Sequence, residues 1–157
     1  MRKVYLLLSL IVSIINVHAQ NFDWAKKAGL WAYDYGYGIT TDNTGNVYVA
    51  GKYEGNAIFS GTTLTNHGNH DIYLAQYSPI GALNWVRTAG GTLGDYAHAI
   101  ACDGTNYVYI AGEIEGYGDP VIFNGTTTTL NCVGNNDVFF AKYDLNGNLQ
   151  WAKQDGW

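Results

Sequence analysis

A block of about sixty residues occurs twice in this sequence and begins a third time. Trp24 recurs as Trp85 and again as Trp151, and the run Val47 to Gly51 recurs as Val108 to Gly112. The first and second copies keep one spacing up to that run, whereas the run Asp71 to Tyr77 recurs after a slightly longer interval as Asp137 to Tyr143. Repetition at a fixed spacing indicates one supersecondary unit that is used several times.

Each copy has the pattern of four short β-strands. The first strands are expected at 38–41 and 98–102, the second at 47–53 and 107–114, the third at 71–77 and 137–143, and the fourth at 82–87 and 149–153. Alternating side chains and β-branched or aromatic residues favour strands, and Asp, Asn and Gly between them favour tight turns. We therefore predict an all-β fold of two four-stranded antiparallel units, about 37–88 and 97–153, within the region 20–157. The stretches 54–70 and 115–136 are expected to connect second and third strands.

The repeated residues resemble a known family. Asp42 and Asp103 precede the Val-Tyr-(Val/Ile)-Ala-Gly run, which ends at Gly51 and Gly112; Asp71 and Asp137 begin an Asp-x-x-x-Ala-(Gln/Lys)-Tyr run, and a Gly-x-Leu-x-Trp motif follows. This pattern is similar to the SBBP-type β-propeller repeat. The resemblance implies propeller blades in a secreted or surface protein, and it transfers no catalytic residue.

Residues 1–19 have the pattern of a secretory signal. Arg2 and Lys3 precede the largely apolar run 4–17, and Val17-His18-Ala19 supplies the small residues that a signal peptidase recognises. The run is shorter than the roughly 20 residues of a spanning helix. We expect cleavage near Ala19, a secreted or cell-surface protein, and no membrane span in the remainder.

The net negative charge of the protein limits the kinds of partner that it can bind. The net charge is −5, and removal of Arg2 and Lys3 makes it more negative. Phosphate-binding surfaces need the opposite sign, so nucleic acid is not an expected partner. Exposed aromatic residues leave a protein or carbohydrate ligand open.

Candidate ligands for a metal ion are few. His67, His70 and Asp71 are close in sequence and of the types that bind zinc, although a polar loop explains them as well. The repeated aspartates Asp34, Asp42 and Asp71, with their counterparts, suit either calcium or hydrogen bonds to turn backbone. No cofactor is otherwise expected.

Two further groups of residues carry possible chemistry. Cys102 and Cys132 are the only cysteines, and in an oxidising compartment they could form a disulfide. Glu113, Glu115 and Asp119 form the one local group of carboxylates; a solvated surface group is the ordinary outcome, and glycoside hydrolysis is the alternative.

The sequence therefore predicts two blades of a larger propeller, because known propellers have four or more blades. The third copy begins at Trp151 and breaks off at Trp157, which favours a truncated piece of a longer protein over a protomer that joins with copies of itself. The expected function is a non-catalytic scaffold, binding or adhesion element. The alternative is part of a propeller-type enzyme that acts on polysaccharide, with its catalytic residues in other blades.

Overall fold

A computed structural model describes residues 23–156 of the chain and contains twelve strands and no helix in that range. The prediction of an all-β antiparallel fold is confirmed. The strands are β1 Tyr35–Thr41, β2 Val47–Tyr53, β3 Ala57–Phe59, β4 Thr62–Leu64, β5 Asp71–Tyr77, β6 Leu83–Gly90, β7 Asp95–Cys102, β8 Tyr107–Glu115, β9 Pro120–Phe123, β10 Thr129–Asn131, β11 Asn136–Asp144 and β12 Leu149–Asp155.

The strands form two equivalent four-stranded units. Unit 1 has the order β1-β2-β5-β6, and unit 2 consists of β7, β8, β11 and β12 in the corresponding order, with every neighbouring pair antiparallel. β10 and β9 extend the edge of unit 1, so β6 continues into a six-stranded sheet. Neither sheet closes on itself among the described residues.

The long connections contain more structure than the sequence predicted. The stretch between β2 and β5 folds into the β3–β4 hairpin, and the stretch between β8 and β11 folds into the β9–β10 hairpin. Strands of three or four residues leave little periodicity to detect. The hairpins have equivalent neighbours, since Phe123 pairs with Ala89 of β6 and Phe59 bridges to Ala28 near the start of the described chain.

The two units pack face to face. Tyr48, Ala50, Ile72 and Leu74 of unit 1 share one buried core with Val108, Ile110, Phe139 and Ala141 of unit 2. A second core covers the opposite face of unit 1 and includes Tyr73, Ala75 and Tyr77 together with the β3–β4 hairpin. Side chains alternate between the faces of a strand, so each of β2 and β5 contributes to both cores.

Two repeated glycines are explained by a close approach of neighbouring backbones. A Cβ at Gly51 would overlap the carbonyl oxygen of Tyr35, and a Cβ at Gly112 would overlap that of Tyr96. Each glycine faces the irregular part of a first strand, where the register shifts between Gly36 and Gly38 in β1 and between Ala97 and Ala99 in β7. These shifts are β-bulges, which redirect the side chain of the extra residue.

Candidate functional site

Four rings on the first strands of the two units form a continuous aromatic strip. Tyr35 and Tyr37 of β1 stack with ring centroids 5.9 Å apart and planes 7° apart. Tyr96 and His98 of β7 repeat this arrangement at 5.8 Å and 5°. The Tyr37 and His98 rings, 5.3 Å apart, join the two pairs. We call these four residues the ring cluster, and Tyr37 and His98 are the residues at the two bulges.

A buried lysine contacts two rings of the ring cluster. The Lys52 ammonium lies 5.2 Å from the Tyr35 ring centroid and 5.4 Å from that of Tyr96. Lys52 is buried, and the faces of two tyrosine rings are a favourable environment for a cation. Tyr35 and Tyr37 remain exposed, so their outer surfaces can meet a ligand.

Polar groups surround the rings. His98 Nε2 lies 3.2 Å from Glu113 Oε1, and the Tyr96 hydroxyl lies 3.1 Å from His70 Nδ1. Burial, followed by the charges of Glu115 and Glu113, raises the pKa of Tyr96. Tyr96 therefore stays a neutral hydroxyl at neutral pH and can donate a hydrogen bond.

Two pairs of equivalent positions differ between the units. Tyr37 of unit 1 corresponds to His98 of unit 2, and Lys52 corresponds to Glu113, at the spacing that relates Trp24 to Trp85. A four-stranded unit can thus form with either residue at these positions. The differences place a histidine and a carboxylate, 3.2 Å apart, on the unit 2 side of the ring cluster.

The structure does not bring His67, His70 and Asp71 together as one metal site. His67 Nδ1 lies 3.2 Å from Asp71 Oδ2, whereas His70 Nε2 lies 3.7 Å from Glu54 Oε2 and its Nδ1 faces Tyr96. Within residues 23–156, no three His, Cys, Asp or Glu side chains are grouped to hold a metal ion.

Asp71 and Asp137 fasten equivalent loops. Asp71 Oδ2 accepts the His67 backbone N–H at 2.9 Å, and Asp137 Oδ2 accepts that of Val133 at 2.8 Å. Burial raises the pKa of Asp71, although hydrogen bonds from His67 and Tyr53 oppose this effect. The Gln154 amide also donates to Asp137 at 3.1 Å.

Asp42 and Asp103 close the turns after the first strands. Asp42 accepts backbone bonds from Thr44 and Asn46 and side-chain bonds from Thr44, Asn46 and Tyr48, at 2.7–3.0 Å. Burial alone would raise its pKa, but these bonds outweigh it and lower the pKa to about 2. Asp103 accepts only backbone bonds, from residues 105, 106 and 107.

Asp34 and Asp95 join the start of each unit to its second strand. Asp34 accepts the N–H groups of Leu30 and Glu54, and Asp95 accepts those of Gly91 and Glu115. Burial raises the pKa of Asp95 to about 7. All three pairs of repeated aspartates therefore bond to backbone N–H groups, as the hydrogen-bond interpretation of these residues requires.

The possible disulfide is absent: both thiols are free. Cys102 pairs with Val108 at one end of β8, while the Cys132 thiol contacts the carbonyl of Ile114 near the other end. Six residues of strand separate these points, a distance of about 20 Å. A bridge needs Cα atoms within about 7 Å, so the two cysteines are too far apart.

The local group of carboxylates is divided. Asp119 accepts the backbone N–H groups of Thr92 and Leu93 and so holds a loop. Glu113 faces His98 of the ring cluster, and Glu115 Oε2 lies with the Tyr96 hydroxyl beside Gly94. The two glutamates thus belong to the surroundings of the rings, away from Asp119.

The repeated tryptophans link neighbouring elements. Trp85 Nε1 donates to the Leu145 carbonyl at 3.1 Å, and Trp24 Nε1 donates to the Pro79 carbonyl at 2.9 Å. A Cβ at Gly147 would meet the Trp85 ring and one at Gly81 would meet the Trp24 ring, so each tryptophan lies over a glycine of a turn. Trp151, the third copy, is partly exposed.

Sequence reasoning missed the ring cluster itself. Tyr35 and Tyr37 are separated by a single residue in the first copy, and Tyr96 and His98 lie at the same positions in the second. Paired rings at equivalent sites of two first strands were the available signal. No helix within residues 23–156 has the length and apolar character needed to cross a membrane.

Comparison with known proteins supports the resemblance drawn from the repeated motifs. No curated protein matches the chain significantly. Residues 23–52, which include β1 and most of β2, match the family profile described as SBBP, beta-propeller repeat. The resemblance inferred from the repeated motifs is thereby confirmed, and the chain carries a repeat of the SBBP β-propeller family.

Proposed function

We propose that this protein is an exported, non-catalytic β-propeller module that binds a ligand at the ring cluster. The observation that carries the proposal is the strip formed by Tyr35, Tyr37, Tyr96 and His98, with rings exposed on one side. Ligand sites combine apolar surface with a few placed polar groups. The strip provides that combination, since His98 and Glu113 lie beside the tyrosines.

In this proposal units 1 and 2 are adjacent blades of a larger closed propeller. Propellers arrange four-stranded sheets radially around a central channel. The units support this arrangement because they are equivalent, pack face to face and place β1 beside β7. The first strands would line the channel, and the ring cluster would face it. Further blades or copies of the chain would complete the ring.

The proposal of export rests on the leader-like sequence 1–19, which lies outside the described residues. A secreted or cell-surface location suits a binding or adhesion element. A protein ligand and a carbohydrate both suit exposed tyrosines.

We favour an uncharged carbohydrate as the ligand. Glu54, Glu113 and Glu115 surround the rings and outnumber Lys52, so an anionic polymer would be repelled. A sugar ring offers an apolar face to Tyr35 and Tyr37 and hydroxyl groups to Glu113 and His98. The nearby carboxylates can accept hydrogen bonds from those hydroxyl groups.

Calorimetric titration with neutral oligosaccharides, such as xylo-, cello-, manno- and chito-oligomers, tests the proposal. Tyr37→Ala should weaken binding about fivefold, since one aromatic stacking contact contributes about 1 kcal/mol. Tyr117→Ala is the matched control, because Tyr117 is an exposed tyrosine in the loop between β8 and β9. Absence of binding to every oligomer, or equal losses in both variants, would contradict the proposal.

A second candidate function is hydrolysis of polysaccharide. The His98–Glu113 pair favours it, because it places an unrepeated carboxylate beside the rings. Hydrolysis normally uses two carboxyl groups about 5–10 Å apart across a bound sugar. Release of reducing ends that is lost in Glu113→Gln but retained in Tyr117→Ala would favour the enzyme. Binding without any release would favour the non-catalytic module.

A further inference from the structure

Unit 1 and unit 2 each have two different faces, and the junction between them shows how these faces fit. We call the face with Ile72 and Leu74, or Val138 and Phe140, the trailing face. The opposite face, with Tyr73 and Ala75, or Phe139 and Ala141, is the leading face. The trailing face of unit 1 packs on the leading face of unit 2 in one shared core.

The trailing face of unit 2 has no such cover within the described residues. Ile72 and Leu74 of unit 1 are each 1% exposed, whereas Val138 and Phe140 at the equivalent positions are each 48% exposed. Exposed apolar patches of this kind usually mark an association surface. The internal junction identifies what fits there, namely the leading face of another unit.

The leading face of unit 1 is also incompletely covered. Ile100 of unit 2 is partly buried against the shared core, beside Gly38, whereas its counterpart Ile39 is 70% exposed. The chain therefore presents both halves of a junction that it already forms internally. Two such complementary faces on one molecule permit head-to-tail association.

The tryptophans define the register of that association. Trp85 of unit 1 donates to the Leu145 carbonyl in a turn of unit 2, and Trp24 makes the equivalent bond to the Pro79 carbonyl of unit 1. Trp151 makes no such bond within residues 23–156. The sequence Trp24-Ala25-Lys26 is the same as Trp151-Ala152-Lys153, so either segment has the side chains for the turn at Pro79.

We propose that a second copy of this chain docks head to tail. The trailing face of unit 2 in one copy packs on the leading face of unit 1 in the next, and Trp151 takes the place of Trp24 on the turn at Pro79. The inference rests on the proposed propeller architecture but not on the carbohydrate ligand. Repetition of this heterologous contact forms a ring if the rotation closes.

The junction between copies is weaker than the internal one. An added Cβ at Gly38 would lie 2.7 Å from Ile100 Cγ2, so the absence of a side chain at Gly38 leaves space for Ile100. In the contact between copies, Ile39 meets Ala99, the counterpart of Gly38. The Ile39 side chain must shift to avoid Ala99, and the segment that contains Trp24 must leave the turn at Pro79. Assembly should therefore depend on protein concentration.

Sedimentation velocity of the full chain over a concentration series tests the inference. The unmodified protein should assemble as its concentration rises. Phe140→Glu blocks the trailing face and Ile39→Glu blocks the leading face, so each variant should remain monomeric. Tyr117→Glu, which adds the same charge to an exposed loop, should assemble normally. Both face residues are exposed in the single chain, so circular dichroism should show a folded monomer.

An equimolar mixture of the two face variants distinguishes this contact from others. Ile39→Glu keeps an intact trailing face and Phe140→Glu keeps an intact leading face, so the mixture should form one junction and give a heterodimer. A contact between two trailing faces would instead let Ile39→Glu form a homodimer by itself, with no heterodimer in the mixture. That outcome, a monomeric unmodified protein at all concentrations, or normal assembly of either variant alone would overturn the inference. Failure of sugar binding would leave these results unchanged.

Discussion

Replacement of Asp42 by alanine should destabilise the protein much more than the same change at Asp103. Both residues follow a first strand at equivalent positions, but their surroundings differ. Asp42 is buried and accepts five hydrogen bonds, whereas Asp103 accepts three from exposed backbone. Both substitutions remove the aspartate of an equivalent turn. Only Asp42→Ala also removes a buried hydrogen-bond network.

The loss in free energy of unfolding expected for Asp42→Ala can be worked out from the Tyr48 hydroxyl. Tyr48 is fully buried, donates to Asp42 Oδ2 at 2.9 Å and accepts from Gln76 Nε2 at 2.6 Å. Without Asp42 this buried O–H has no acceptor, which costs about 1–3 kcal/mol. Lost bonds to the charged carboxylate add to this cost, so Asp42→Ala should lower the free energy of unfolding by about 3 kcal/mol. Asp103→Ala should cost much less, because it leaves no buried polar group without a hydrogen-bond partner.

Urea unfolding, followed by circular dichroism at low protein concentration, measures both values. Tyr48→Phe removes the hydroxyl that donates a hydrogen bond to Asp42. In a protein that already carries Tyr48→Phe, Asp42→Ala should therefore cost less stability than it does in the unmodified protein. Equal losses for the two alanine variants, within about 0.5 kcal/mol, would refute the reasoning because they would mean that the buried network contributes nothing. Folding lowers the pKa of Asp42 to about 2 from 3.8, so the stability it contributes should be present above pH 3.8 and lost as the pH falls towards 2.

The remaining predictions concern other parts of the molecule. Burial raises the pKa of Asp95 from 3.8 to about 7, so stability should fall as the pH rises through this window, by up to about 1.4 kcal/mol per pH unit. Asp95→Asn should remove that slope in urea titrations, and an unchanged slope would contradict the assignment. Trp85→Phe should cost about 1–2 kcal/mol in the same assay, because the bond to the Leu145 carbonyl is lost; Trp31→Phe, at an exposed site, is the control. Calcium should leave the melting temperature unchanged, because the repeated aspartates already bond to the backbone; a rise of several degrees would indicate bound calcium. Mass spectrometry of exported protein should find its start near Gln20, and retention of Met1 would exclude cleavage.

The eight main strands could be predicted from the sequence because their signals are local. Alternation of side chains within a strand, and Asp, Asn and Gly in the turns, act over a few residues. The repeat added the information that the strands form two equivalent units. The short hairpins β3–β4 and β9–β10 were not predicted, because strands of three or four residues show too little alternation to be recognised in the sequence.

The roles of Asp42 and Asp103 were also accessible, because one turn contains both the carboxylate and the N–H groups that donate to it. The bonds from Asp34 to Glu54 and from Asp95 to Glu115 span twenty residues and follow only from the fold. The sequence could not determine whether Cys102 and Cys132 meet. That depends on the length of β8, which holds them at opposite ends. Nor could it show that Glu113 lies beside His98 while Asp119 holds another loop.

The sequence by itself thus determined an all-β repeat with defined strands and turns. Only the tertiary structure brought Tyr37 to His98, which belong to different copies of the repeat, and placed Lys52 between the rings of Tyr35 and Tyr96. These contacts cross the junction between two units, and no local pattern encodes a junction. Burial of the apolar faces of both sheets drives the units together, and that packing aligns the two bulged first strands into one site.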